Sequence, residues 1–233
     1  MEQTQNHEVI VTDKVTKIFD PDGIPVNALN GIDLTITSGE FTAIVGPSGS
    51  GKTTFLNIIS GLDTPTEGKV WLSGKIISEM NGNELSDFRR DNIGFIFQAY
   101  NLIPVLTVEE NVEYIMLLAG VSKAERHERV KKMLKAVGLE GVEDRLPTQL
   151  SGGQQQRVAI ARAMVSEPTI ILADEPTANL DSKTGNDLLE MMRRLNDETG
   201  MTFIFSTHDP MVMDRARRLI TLRDGQVDTD ETK

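Results

Sequence analysis

One octet limits what this chain can fold into more than any other part of its 233 residues. It reads Gly46-Pro47-Ser48-Gly49-Ser50-Gly51-Lys52-Thr53, is followed by Thr54, and lies between an apolar run at Phe41–Val45 and a segment with helical spacing of apolar residues. A strand, a glycine-rich loop and a helix in this order let backbone N–H groups surround an anion at the positive end of the helix dipole. Lys52 can then reach the β- and γ-phosphates of a nucleotide, and the Thr53 hydroxyl can hold Mg²⁺. The segment Gly46–Thr54 therefore predicts an ATP site, with a chance glycine-rich turn as the weaker alternative.

A pair of carboxylates ends a second apolar run. Thr169–Ala173 is continuous in apolar character after its first residue, as is typical of a parallel strand buried on both faces, and Asp174 and Glu175 follow it. Open α/β sheets bind ligands at the carboxyl ends of such strands. We expect Asp174 to hold Mg²⁺ and Glu175 to polarise an attacking water. A simple acidic turn is the alternative. Because position 175 is Glu and not Gln, we expect turnover as well as binding.

The order of the predicted elements indicates an α/β fold. The candidate strands are Val9–Val11, Gly31–Ile36, Phe41–Val45, Lys69–Leu72, Ile93–Phe97, Thr169–Ala173, Thr202–Ser206, Arg218–Leu222 and Gln226–Val227. Capping pairs at Thr107/Glu110 and Ser122/Glu125 open helices, so that residues 101–164 are predicted to be mostly helical. We expect residues 228–233 to fray. The pattern predicts a parallel sheet interrupted by a helical insert.

Composition limits the class of protein further. A chain of 233 residues with 39% hydrophobic residues suits one α/β domain with an insertion, or two small domains that share a core. It has no apolar run of about 18 residues, no apolar leader at its start and no cysteine, so we expect a cytoplasmic protein without disulfides or thiolate metal sites. The net charge of −11 disfavours nucleic acid as the main partner.

A second anion-binding helix start follows the predicted insert. Leu150-Ser151-Gly152-Gly153-Gln154-Gln155-Gln156-Arg157 opens a helix rich in alanine, and a serine with two glycines leaves its first N–H groups open. One compact nucleotide does not need two such ends from one chain. This octet resembles the signature sequence of ATP-binding-cassette (ABC) ATPases. With the phosphate loop and the Asp174–Glu175 strand, the resemblance covers nearly the whole chain.

The resemblance implies a fold and its division. It implies a P-loop NTPase (RecA-like) parallel-sheet core with an N-terminal antiparallel β subdomain and an inserted helical subdomain. The whole chain, residues 1–233, would be one ABC ATPase domain. Residues 1–97 and 165–233 would form the core with its β subdomain, and residues 98–164 would form the helical subdomain that carries the signature sequence.

The resemblance also implies roles for four further side chains. Gln98 resembles the Q-loop glutamine that contacts Mg²⁺ and senses the coupled membrane partner, and His208 resembles the switch histidine that holds Glu175 and the water in geometry. Phe19 stands where the family places an aromatic residue, most often Tyr, to stack on adenine. Asp181 ends a segment that resembles the D-loop. The alternatives are a surface glutamine, a structural histidine and a core aromatic; His7 and His127 lack such context.

In this family the signature of one subunit closes over the ATP of the other. Ser151 and Gly153 would then donate hydrogen bonds to the γ-phosphate across a head-to-tail dimer. Gly152 and Gln154 belong to the same nucleotide-binding segment, and Asp181 would lie in the D-loop that crosses between subunits. ATP would hold the dimer together and hydrolysis would release it.

Three kinds of machine compete. They are a transporter ATPase docked on a separate membrane permease, an ATPase that works on DNA or the ribosome, and a cell-division type that signals through a membrane partner. The spacing from Lys52 to Asp174 leaves no room for a long coiled-coil insert, and the absence of cysteine excludes zinc modules. Residues 172–181, 57–63 and 101–104 resemble the branch of lipoprotein release, macrolide efflux and cell division, with importers as a further alternative. A permease helix would dock near Gln98–Leu106, whose apolar side chains could equally be plain core.

Overall fold

The structure is a computed structural model that describes residues 8–20 and 23–233. Its strands are β1 (Glu8–Phe19), β2 (Val26–Thr37), β3 (Phe41–Val45), β4 (Glu67–Leu72), β5 (Lys75–Ile76), β6 (Ile93–Ile96), β7 (Ile170–Asp174), β8 (Thr202–Ser206), β9 (Arg218–Arg223) and β10 (Gln226–Thr232). Its α-helices are α1 (Lys52–Ile59), α2 (Gly82–Asn92), α3 (Val108–Leu118), α4 (Lys123–Ala136), α5 (Gly152–Met164), α6 (Ser182–Thr199) and α7 (Pro210–Arg215). None of the helices in these ranges is long and apolar enough to cross a bilayer.

A mixed sheet in the order β10-β9-β3-β8-β7-β6 forms the centre of the molecule. The strands from β9 to β6 run parallel to one another, and β10 returns antiparallel beside β9. Every residue of β3 and β8 is buried, because helices or the second sheet cover both faces. The prediction of a buried parallel core is confirmed.

The N-terminal part forms a second, antiparallel sheet in the order β2-β1-β4-β5. One hydrophobic core lies between the two sheets and includes Ile44, Leu172 and Ile204. The other core lies on the opposite face of the central sheet, where Phe41 and Phe203 meet the helices α3 to α6. Alternate residues of β3 and β8 therefore point into different cores, and the predicted α/β fold with an antiparallel β subdomain is confirmed.

The segment between β6 and β7 is mostly helical, as predicted. The Thr107 hydroxyl accepts from Glu110 N at 3.2 Å, and the Glu110 carboxylate accepts from Thr107 N at 2.8 Å, which completes the capping box of α3. The Ser122 hydroxyl accepts from Glu125 N at 3.4 Å at the start of α4. The division of the chain at residues 98 and 164 stays a prediction.

Two sequence predictions were wrong in extent, and two α-helices, α2 and the six-residue α7, were not predicted. The strands β1 and β2 have 12 residues each, because register shifts interrupt the alternation that would have marked their length. Helix α2 went unpredicted because it is polar and buries only Leu85 and Phe88, although Asn81 and Glu84 form its capping box.

The prediction that residues 228–233 fray is also wrong. β10 extends to Thr232, because the Arg218 guanidinium donates to both carboxylate oxygens of Asp230 at 2.8 and 2.7 Å. The same guanidinium donates to the Glu40 carboxylate at 3.0 Å. The pKa of Asp230 is lowered, chiefly by its hydrogen bond from Arg218. This ion pair holds the C-terminal strand on the edge of the sheet.

Helix α5 lies unusually close to the edge strand β6. A Cβ atom added to Gly94 would lie 2.2 Å from the Ala163 carbonyl oxygen and 2.5 Å from Ile171 Cδ1. The Ala163 carbonyl oxygen is a backbone atom of α5 and cannot move away without moving the helix, so only glycine fits at this position of β6. Gly94 therefore sets the distance of α5 from the sheet.

We expect Gly94→Ala to destabilise the fold by about 2 to 3 kcal/mol, because the methyl group must push α5 away from β6. Urea unfolding followed by circular dichroism measures the loss. Gly82→Ala is the matched control: it lies in α2 with no atom within 4 Å of the added methyl, and it should change stability by less than about 1 kcal/mol, towards greater stability. Equal stability of the two variants would contradict the close packing of α5.

Candidate functional site

The loop after β3 forms the floor of the site. Gly46 has a φ of +147°, and a Cβ atom there would lie 2.2 Å from the Leu222 carbonyl oxygen of β9, so a side chain is excluded. The loop then turns into α1, whose first residue is Lys52. The Lys52 ammonium donates to the carbonyl oxygens of Gly46 and Pro47 at 2.9 and 3.0 Å. The loop thus curls around the lysine that the sequence assigned to phosphate binding.

A cavity of about 680 Å³ lies above this loop. Its walls are formed by Phe19, Val26, Asn27, Ala28, Gly46, Pro47, Ser48, Gly49, Ser50, Gly51, Lys52, Thr53, Thr54, Gln98, Asp174, Glu175, Ser206 and His208. The structure therefore brings the phosphate-loop residues together with the predicted adenine, Mg²⁺ and water-activating residues, which come from distant parts of the chain. Val26, Asn27, Ala28 and Ser206 are further wall residues that the sequence analysis did not identify.

Phe19 lies at the open end of the cavity, at the end of β1. Its side chain is 41% exposed, so it is not the core aromatic that the sequence left as an alternative. The Lys17 ammonium lies 5.0 Å from its ring centroid. Because Phe19 is exposed and lines the cavity, its ring is available to stack on a planar group bound there.

Glu175 and His208 form a pair at the wall facing the loop. Glu175 has a φ of +46°, and its N–H donates to the Ser206 carbonyl oxygen at 2.9 Å, so the chain turns sharply after β7. His208 Nδ1 lies 2.5 Å from Glu175 Oε1, and the backbone N–H of His208 donates to the same oxygen at 3.2 Å. The Glu175 side chain is 15% exposed and that of His208 is 77% exposed. The carboxylate is therefore mostly buried, the histidine ring beside it is open to solvent, and both residues line the cavity.

Asp174 ends β7 beside this pair. Burial raises the pKa of its carboxyl, and the neighbouring Glu175 charge adds to the rise, while the Ser206 hydroxyl and Lys52 oppose it. A carboxylate in this position would be stabilised by a cation. Asp174 thus has the electrostatic character of a metal ligand.

The oxygen donors around the cavity fit Mg²⁺. Thr53, Gln98 and Asp174 offer hydroxyl, amide and carboxylate oxygens, the ligands that this ion prefers. The buried hydroxyl of Ser50 has no hydrogen-bond partner in residues 8–20 and 23–233. No group of three or more His, Cys, Asp or Glu side chains suited to a metal occurs in the same ranges, so Mg²⁺ here would need ligands from a phosphate or water as well.

The signature residues lie outside this cavity, at the start of α5. The Ser151 hydroxyl accepts from Gln154 N at 3.3 Å, and the Gln154 side chain accepts from Ser151 N at 2.9 Å. Gly152 and Gly153 are the first two residues of the helix, and none of these four residues lines the wall. The structure does not bring them to the phosphate loop of the same chain.

Asp181 also lies away from the cavity wall. Its carboxylate caps α6, accepting from Lys183 N and Thr184 N at 3.1 and 3.0 Å. A Cβ atom on Gly153 would lie 2.6 Å from Thr184 Cγ2, so the starts of α5 and α6 are neighbours. The signature and D-loop segments therefore form one surface.

The segment Gln98–Leu106 connects the cavity to the helical part. Arg162 of α5 donates to the Tyr100 and Asn101 carbonyl oxygens at 2.8 and 2.6 Å. Leu102 packs against the larger core, whereas Val105 is 78% exposed. Of the apolar side chains assigned to a docking groove, Val105 is thus the most available to a partner.

Comparison with known proteins identifies relatives along nearly the full length. The sequence pattern of the family described as "ABC transporter" matches residues 29–178. An uncharacterised ABC transporter ATP-binding protein of Thermotoga maritima is 48% identical over 94% of this chain and 93% of its own length. The macrolide export ATP-binding/permease protein MacB of Brucella melitensis is 48% identical over 97% of this chain, which spans only 35% of MacB. The ATP-binding cassette MJ0796 of Methanocaldococcus jannaschii was solved as a dimer in a post-hydrolysis state with ADP and Pi. This chain superposes on it with a TM-score of 0.87 at 46% identity, and the match covers 96% of this chain and 98% of the MJ0796 chain.

The raised pKa of Asp174 predicts a pH-dependent gain in stability for Asp174→Asn. The pKa of Asp174 is higher in the folded state than in the unfolded state, so the protonated form favours folding. The free energy of unfolding therefore falls as pH rises from the unfolded-state pKa through the folded-state pKa, and ionised Asp174 destabilises the fold above it. The asparagine variant should therefore resist urea better than the parent at pH 8, and the difference should vanish below the ordinary pKa of an aspartate. Asp187→Asn, at an exposed position of α6, is the control and should show no such trend. A variant Asp174→Asn that is less stable than the parent at pH 8 would refute the prediction.

Proposed function

We propose that this chain, which belongs to the ABC transporter family and is an ABC-type ATP hydrolase, uses ATP to drive a separate membrane permease. The observation that carries the hydrolytic part of the proposal is the pairing of Glu175 with His208 at 2.5 Å on the wall of the cavity that also holds Lys52 and Asp174. An ATP-binding module without turnover would need no such paired carboxylate.

The phosphates of ATP would lie on the loop Gly46–Thr54, held by backbone N–H groups, the helix dipole and Lys52. Phe19 would stack on the adenine. A water oxygen then forms a bond to the γ-phosphorus, and the bond from that phosphorus to the β–γ bridging oxygen breaks with its electron pair going to ADP. The proton that the water loses goes to Glu175 and on to the released phosphate. His208 holds the carboxylate in the orientation that aims this transfer.

Mg²⁺ would be held by Thr53, Asp174 and Gln98 together with the phosphates of ATP. When bound, it neutralises charge on the phosphate oxygens. The ion would balance the charge of the buried Asp174 carboxylate, and Lys52, which lies on the loop beside it, would meet the phosphates.

A second copy of the chain would complete the site. Ser151, Gly152, Gly153 and Gln154 lie at a helix start outside the cavity of their own chain, which is where a donor group for a partner's γ-phosphate must lie. Asp181 borders the same surface. The MJ0796 cassette was solved as a dimer, which supports self-association of this chain. The two copies would lie head to tail around two ATP.

The partner would be an integral membrane permease of the export or lipoprotein-release type, or one that performs mechanical work on an extracytoplasmic domain. MacB unites an ATP-binding part and a permease in one protein, and this chain matches about a third of it. The permease would dock near Gln98–Leu106, and the chain would thereby sit at the inner face of the cell membrane. Arg162 ties this segment to the signature helix, which gives a docked helix a direct mechanical connection to the start of α5.

Substitution of Glu175 by Gln tests the proposed chemistry. Gln keeps the size of the side chain but cannot accept a proton, so phosphate release should fall about a hundredfold or more while ATP binding persists. Lys52→Ala is the comparison, and it should lose most of both because the lysine contacts the phosphates. Steady-state phosphate release and equilibrium binding of ATP measure the two effects.

The same Glu175→Gln chain reports on the proposed dimer. Since hydrolysis no longer releases the two copies, light scattering should show a dimer with ATP and a monomer without it. A chain that stays monomeric with ATP, both alone and with its permease, would contradict the head-to-tail arrangement.

A charge at Val105 tests the docking segment. Val105→Asp should uncouple ATP hydrolysis from the permease, because the side chain is 78% exposed and would contact the docked helix. ATP binding should be unchanged, because Val105 does not line the cavity. Val105→Ile retains an apolar contact and should couple normally. Stimulation of ATPase activity by the reconstituted permease is the measurement, and undiminished stimulation in the aspartate variant would count against this docking site.

A further inference from the structure

Thr207, which the sequence analysis did not assign a role, lies between β8 and the catalytic pair. Its side chain is fully buried, with 0% exposure. Its backbone N–H donates to the Ile44 carbonyl oxygen at 3.1 Å, so the residue is anchored on the strand that leads into the phosphate loop. Because the residue is buried and its backbone is fixed, its hydroxyl can form hydrogen bonds only with the protein groups next to it.

Of the two hydrogen-bond partners of the Thr207 hydroxyl, only one can accept its proton. It lies 2.9 Å from Glu175 Oε2, and it accepts from the backbone N–H of Asp209 at 2.9 Å. An ionised carboxylate carries no proton, and the amide can only donate. The Thr207 hydroxyl must therefore donate to Glu175.

The Asp209 side chain links the Thr207 segment back to the turn that carries Glu175. Asp209 Oδ2 accepts from the Thr177 hydroxyl at 2.6 Å, and Asp209 Oδ1 accepts from Met211 N at 2.9 Å at the start of α7. Thr177 is 2% exposed and lies two residues after Glu175. The turn that carries the carboxylate is thus tied at both ends to the segment Thr207–Asp209.

The two contacts on the Glu175 carboxylate differ in their surroundings. The His208 ring holds Oε1 from a position that is 77% exposed, whereas Thr207 holds Oε2 from within the protein. The buried contact needs no nucleotide or second chain to form. It fixes the rotation of the carboxylate in advance, which is the condition under which a general base acts without reorganisation.

We propose that Thr207 is the positioning residue for Glu175: its hydroxyl orients the carboxylate towards the attacking water, with Asp209 and Thr177 holding the hydroxyl in place. This inference rests on the proposed role of Glu175 as the group that activates water. Thr207 itself acts through Glu175 and contacts no part of the phosphate loop.

Replacement of Thr207 by Val removes the hydroxyl and keeps the branched shape. We expect kcat for ATP hydrolysis by the full-length chain to fall about 10- to 100-fold, the range of a hydrogen bond to a charged group, and ATP affinity to stay within about twofold. Thr207→Ser keeps the hydroxyl and should restore kcat to within about threefold of the parent. Should the valine chain fail to fold, Thr207→Ser and Thr207→Ala give the same comparison, since both lack the methyl group.

Thr202→Val is the matched control. Thr202 is equally buried and is the first residue of β8, at the end away from Thr207 and the cavity, and its hydroxyl accepts from Gly39 N at 3.1 Å. Its loss should leave kcat unchanged.

Three results would overturn the proposal: an unchanged kcat in Thr207→Val, a parallel loss of ATP affinity, or an equal fall of kcat in Thr202→Val. Glu175→Gln separates this inference from the proposed function. If that variant keeps full turnover, the proposed function itself fails; if it is inactive while Thr207→Val is fully active, only the role of Thr207 fails.

Discussion

The parallel register of β3, β8 and β7 is the constraint on which the site depends. Ile44 pairs with Ser206, and Ser206 pairs with Asp174, so the carboxyl ends of three neighbouring strands lie in one row. The phosphate loop, the His208 segment and the acidic pair leave these strands at the same edge of the sheet. A slip of one residue in either of the two pairings would turn the side chains of the shifted strand to the opposite face.

The two hydrophobic cores hold this register from opposite faces. Phe41 and Phe205 have ring centroids 4.6 Å apart, and Phe41 and Phe203 have centroids 5.6 Å apart, in the core beside the helices. Ile44 and Ile204 occupy the core beside the antiparallel sheet. Each aromatic pair contributes about 0.5 to 1.5 kcal/mol beyond the burial of its surface. Because alternate residues of one strand serve different cores, packing on both faces opposes a slip.

The parts of the site with a local pattern could be predicted from sequence, and the parts that depend on the fold could not. Gly46–Thr53 and the Asp174–Glu175 pair follow from short segments with their own physical logic, and the cavity brings both together. Thr207 was missed because a hydroxyl after a strand acquires meaning only when the register places it against a carboxylate. The fate of residues 228–233 likewise depended on Arg218, ten positions earlier in the chain, whose ion pairs no periodicity reveals. Helix α2 was missed because two buried side chains are too few to give an apolar stripe.

In the proposed dimer each hydrolytic site is divided between two chains, because the phosphate loop and Glu175 line one cavity of a chain whereas its Ser151–Gln154 segment lies on another surface. The most direct test is the rate of ATP hydrolysis at saturating ATP as the concentration of the chain is raised from well below the dimer dissociation constant. A site completed by a second copy predicts that the total rate rises with the square of chain concentration at the low end and becomes proportional to it only when dimers predominate. A rate strictly proportional to chain concentration throughout, from a chain shown to be monomeric under the same conditions, would contradict the claim.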